Sequence, residues 1–188
     1  QDEKMARNIV LETPNYVYIQ SLFQTKDLQI GRIGVYNSMS DLFDFVAPTK
    51  NPNPRHLARV TYKFVYNGGE TASAQTVLLP NSERPIVYFG LKSDIYPSAP
   101  QLVIEKVEWK RISQRDLLDI GAFMADRLGF TFENFTFIEA NRINGLLNHI
   151  IKFDLFNATV FNYWEPKFYV ELVDNIQTVG VIYLVVPK

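Results

Sequence analysis

Two histidines, His56 and His149, are the side chains best suited to move a proton or bind a metal near neutral pH. Neither has partners at a metal-ligand or triad spacing, so neither predicts a metal site or a catalytic base. His56 follows Asn51-Pro52-Asn53-Pro54 and reads as a solvated loop residue; His149 reads as the start of a strand. The carboxylates Asp41 and Asp44 lie three positions apart on a strand pattern, hence on opposite faces. Asp116 and Asp119 share one face near a helix N-terminus, where acids oppose the macrodipole without any acid–base role. Gly68-Gly69 leads into Glu70, not into a lysine or a helix, so it is no phosphate loop. Cysteine is absent, which excludes disulfides, thiolate metal sites and a cysteine nucleophile. No catalytic, cofactor-binding or metal-ligating set is predicted.

What remains is contact chemistry. Phe161, Tyr163 and Trp164, followed by Glu165-Pro166, form an aromatic loop of the kind that anchors an interface or stacks on a sugar. The alternative is that Trp164 or Tyr163 turns inward as core. Asn134-Phe135-Thr136 and Asn157-Ala158-Thr159 match the glycan acceptor pattern, which carries meaning only in a secreted, glycosylated protein.

These residues sit in a chain of 188 with 47% hydrophobic content, enough for one large domain or two small ones. A net charge of -1 gives no electrostatic case for nucleic acid or an anionic membrane. Aromatic content of 14% favours strands. No apolar run is long enough to cross a bilayer, and no signal peptide is recognisable. The start at Gln1 is compatible with a signal or anchor removed upstream.

Periodicity supplies the elements. Residues 1–27 hold an extended segment, Tyr16 to Phe23. Strands are expected at 28–35, 42–47, 60–66, 74–79, 86–90 and 102–112, with Val103, Val107 and Trp109 facing inward and Glu105 an exception. Asn51-Pro52-Asn53-Pro54 must be a turn or crossing loop, since its prolines lack an N–H. Residues 113–129 change to helical period, with Ser113 and Asp116 as a capping box and Gly129 as the stop. Strands resume at 130–138, 149–156, 167–173 and 178–186.

The halves also match each other. Asn51 lies 11 positions before Tyr62, and Asn157 lies 11 before Phe168. Each alternating strand is followed by a turn, Gly68-Gly69 or Asp174-Asn175, and a strand ending in proline, Pro80 or Pro187. The halves are offset by 106 at the asparagines and 107 at the prolines. This fits a duplicated small β domain. The string Asp41 to Ala47, the Asn-Pro-Asn turn, Tyr62/Phe64/Tyr66, Gly68-Gly69, Leu78-Leu79-Pro80 and Val107-Glu108-Trp109 resembles an FxLYD domain. The Asn-Pro-Asn turn is also similar to the late-embryogenesis-abundant WHy domain. The resemblance covers about residues 28–112 well and 130–188 loosely.

The resemblance implies an all-β fold of two tandem immunoglobulin-like β-sandwiches, 28–112 and 130–188, joined by one short amphipathic helix at 113–129. It implies a non-catalytic extracytoplasmic module, structural or protein-binding, of a cell-surface or membrane-anchored protein. The second copy stops at Lys188, before strands that the first copy has. Either the polypeptide continues or another strand fills the gap, with Tyr16, Tyr18, Leu22 and Phe23 marking the candidate donor. Donation between chains would make a filament or coat subunit and a homo-oligomer. A carbohydrate-binding module using the aromatic loop is the remaining alternative.

Overall fold

The computed structural model describes residues 24–39, 41–140, 149–175 and 177–187. The described residues are mostly strand with one short helix, and the chain divides into two compact units, Gln1–Arg111 and Ile112–Lys188.

Unit 1 holds β1 (Gln29–Ile30), β2 (Gly34–Met39), β3 (Leu42–Ala47), β4 (Thr49–Asn51), β5 (His56–Tyr66), β6 (Gly69–Glu70), β7 (Ala74–Leu78), β8 (Ser82–Glu83), β9 (Ile86–Lys92) and β10 (Gln101–Arg111). They form three antiparallel sheets: β2-β3-β9, β1-β4-β8, and β10-β5-β6 with β7 also on β5. Ala58, Val60, Tyr62 and Phe64 alternate along β5 and are all buried. They meet Phe45 and Ala47 of β3, Ile86 of β9 and Leu78 of β7 in one core. Tyr62 donates its hydroxyl to the Val87 carbonyl (2.7 Å), so its polar tip is satisfied across that core.

Two asparagine side chains hold the segment of the prolines by hydrogen bonds. Asn51 Nδ2 donates to the carbonyls of His56 (2.7 Å) and Leu79 (3.0 Å), tying β4 to β5 and to the end of β7. Its Oδ1 accepts from the Asn53 backbone N–H (3.1 Å) and from Asn53 Nδ2 (3.0 Å).

The inward face of β10 differs from the expected one. The register shifts between Ile104 and Lys106, leaving Glu105 as the bulged residue. A bulge reverses side-chain parity. Leu102 and Ile104 pack on the core before it, and Val107 and Trp109 after it. Val103 is therefore off the core face. Glu105 points outward, accepting from Ser73 Oγ (2.9 Å) and lying 3.8 Å from Lys63 Nζ.

Unit 2 holds α1 (Ile120–Arg127), β11 (Phe130–Ile138), β12 (Ile150–Asn157), β13 (Lys167–Asp174) and β14 (Gln177–Val185). The helix is shorter than 113–129. Asp119 is its N-cap, accepting from the Ala122 N–H (2.9 Å), while Ser113 closes a separate turn through the Arg115 N–H (3.1 Å). Two good caps stand six residues apart, and the chain uses both. The strands form two hairpins, β11-β12 and β13-β14. Phe168 of β13 stands edge-on to Phe130 and Phe132 of β11, with centroids 5.1 and 5.6 Å apart. Among the described residues of unit 2, Ile120 and Val181 are the buried hydrophobics.

The two asparagine turns share one contact. Asn157 Oδ1 accepts from the Thr159 N–H (3.0 Å) as Asn51 does from Asn53, and its Nδ2 donates to the Phe161 carbonyl (2.7 Å). The hairpins diverge: Leu78 pairs with Ala58, but Leu184 pairs with Phe168, the counterpart of Tyr62.

Candidate functional site

The aromatic loop of unit 2 is held from both ends and from below. At its start, Asn157 fixes Thr159 and Phe161, with Thr159 Oγ1 donating to Asn157 Oδ1 (2.7 Å). At its end, the Val186 N–H donates to the Pro166 carbonyl (3.0 Å), closing the loop on the tail of β14. Beneath it, the Arg127 guanidinium lies 3.7 Å from the Phe123 ring centroid and 4.3 Å from that of Phe161. A cation over the face of each of two rings is attracted by both. Tyr163 donates its hydroxyl to the Arg127 carbonyl, near the C-terminus of α1. The Tyr163 ring also packs on Phe130 at 5.3 Å.

The three predicted contact residues thus divide by role. Phe161 and Tyr163 anchor the loop, whereas Trp164 projects with 71% of its surface exposed. Trp164 stands at a groove of about 560 Å³ lined by Phe130, Leu155, Tyr163, Pro166, Val186 and Pro187, with Asn157 and Asn162 as its amides. Among the described residues, no carboxylate or cationic side chain lines it. Arg127 and Phe123 were missed from sequence, although their i, i+4 spacing on a helix was a readable signal. Val186 and Pro187 offered none, being brought to the loop by tertiary closure.

The remaining candidates have structural work. His56 begins β5 instead of lying in the loop, because it pairs with Arg111 of β10. Burial, then the charge of Arg111, holds its imidazole below the usual value. His149 Nδ1 accepts from the Ala140 N–H (3.1 Å), and its ring stacks on Phe137. Asp44 accepts from the Gly90 N–H (2.8 Å), where Gly90 takes φ +70° opposite a register shift in β3. Asp41 lies 3.5 Å from Lys92. Asp119 caps α1, and Asp116 is exposed. Asn134, at φ +52° in the bulge of β11, donates to Asp154 Oδ2 (2.6 Å). The candidate donor residues Tyr16, Tyr18, Leu22 and Phe23 lie outside the described residues.

Among the described residues, no three His, Asp or Glu side chains gather to hold a metal ion, and no helix is long and apolar enough to cross a membrane. No family model, curated protein or solved structure matches the chain.

Proposed function

We propose that the chain is a non-catalytic extracytoplasmic module, structural and protein-binding, built from two tandem immunoglobulin-like sandwiches of the FxLYD or WHy kind. It belongs at a cell surface or on a membrane-anchored protein. The observation that carries this reading is the 71% exposure of Trp164 on a loop whose neighbouring aromatics are all fixed. Tryptophan is enriched among the aromatic anchors of protein interfaces, and this one stands beside an apolar groove. The shared asparagine turn at Asn51 and Asn157 supports the duplication. Brief proteinase K treatment of intact source cells tests the location. The reading expects peptides from this chain to be released from intact cells or once the outer envelope alone is permeabilised; protection until the inner membrane is lysed contradicts it.

A second reading, a filament or coat subunit assembled by strand exchange, is favoured by one observation. Both sheets of unit 2 are two-stranded among the described residues. Such a pair is marginal in water, and each has open edges. Deleting residues 1–23, which spares the Lys26 contact, must then convert an oligomer into a monomer on size-exclusion chromatography. An unchanged elution volume would sink strand exchange through that segment.

A further inference from the structure

We propose that the Trp164 groove takes an uncharged, proline-rich segment in extended polyproline conformation from a partner protein. The inference rests on the reading of the aromatic loop as a contact surface and names the ligand class. Charge complementarity comes first: among the described residues the lining holds no ionic side chain, so a charged ligand would lose water there and gain no counter-ion from them. The walls are Trp164, Tyr163, Phe130 and two prolines, a lining suited to pyrrolidine rings. A polyproline strand makes no internal hydrogen bonds and presents only carbonyl acceptors at its prolines.

The polar groups of the groove match that need. Asn157 is already committed through both halves of its amide, and the Tyr163 hydroxyl is committed to Arg127. Asn162 makes no side-chain hydrogen bond among the described residues and is exposed. It offers an amide donor beside the aromatic wall. A sugar of comparable size brings several hydroxyls that need directional partners, and this lining is mostly carbon. A proline stretch needs far fewer. The lining therefore favours the peptide. Its rigid conformation also lowers the entropy lost on docking.

The test uses the full chain carrying Trp109→Phe, so that Trp164 is the sole indole, since the sequence holds 2 Trp. A capped proline decamer, a neutral chitohexaose and a decamer with alternating glutamates are titrated while indole emission is read. The inference expects a saturable change with the proline decamer and none with the other two. Asn162→Ala should weaken it by about 2–10-fold, the loss of one hydrogen bond. Tyr163→Ala should weaken it by about tenfold or more, as for an aromatic anchor, with the far-UV spectrum as the folding control. Saturation by chitohexaose without the decamer overturns the inference in favour of a sugar. Silence toward both overturns it too. The broader contact reading then stands or falls separately, on whether position 164 crosslinks to a protein.

Discussion

Asn53 grips the backbone of Lys26 with both halves of its amide: the Lys26 N–H donates to Oδ1 (2.7 Å), and Nδ2 donates to the Lys26 carbonyl (2.8 Å). A side chain here imitates the paired bonds of an antiparallel strand. It is 2% exposed, so water cannot replace it. Asn53→Ala should cost about 1–3 kcal/mol, from the groups left unpaired at Lys26; Asn51 Oδ1 keeps the backbone N–H of residue 53. Urea unfolding followed by Trp109 emission measures this. Asn53→Asp should cost a similar amount, because a carboxylate cannot donate to the Lys26 carbonyl.

Lost apolar surface should cost far more at Phe45 of unit 1 than at Phe135 of unit 2. Phe45 is fully buried against Phe64, their centroids 5.1 Å apart. Phe45→Ala should destabilise unit 1 by about 3–5 kcal/mol. Phe135 is 63% exposed, and Phe135→Ser should change stability by no more than about 0.5 kcal/mol. Equal losses in urea melts would contradict the assignment of core to unit 1 and display to unit 2.

Arg127 should hold the contact loop in place without touching a ligand. Arg127→Ala removes a cation that contacts two rings, each contact worth about 0.5–1 kcal/mol at an exposed site. Amide exchange at residues 158–164 should accelerate, and exchange in unit 1 should not change. Arg127→Lys should restore the protection only in part, since an ammonium cannot stack flat on a ring face.

Acid should weaken the fold through His56. Burial and then Arg111 lower its folded pKa from 6.5, so the unfolded chain binds the proton more readily. This contribution is fully present above pH 6.5 and is lost as pH falls through the lowered folded value. The hydrogen bond from Lys106, followed by its charge, depresses Glu108 below 4.5, so that group acts in a more acid window. Between pH 7 and 5, His56→Gln should flatten the stability loss measured by urea melts. An unchanged slope would remove His56 as the cause.

The strands were legible because their alternation is local. Phe130–Ile138 was read with its true ends, and 42–47 likewise. The bulges were not, because a bulge exists only relative to a partner strand. Glu105 looked like an exception to an alternating face when it marks the change of face. The hairpin registers were not legible for the same reason. The sequence aligns Gly68-Gly69 with Asp174-Asn175, yet the turns begin at Asn67 and Asn175, which lie 108 apart. That two-residue delay moves the cross-strand pairing by four. Of the site, the aromatics were readable by type, but which one projects was decided by Arg127 and Tyr163 at closure.

The central claim is that unit 2 meets a protein through Trp164. p-Benzoylphenylalanine placed at position 164, and separately at Arg59 on the outer face of β5, tests it in intact source cells. The account predicts a discrete crosslinked protein adduct from position 164 and none from position 59. No adduct from 164, or the same adducts from both positions, would contradict it.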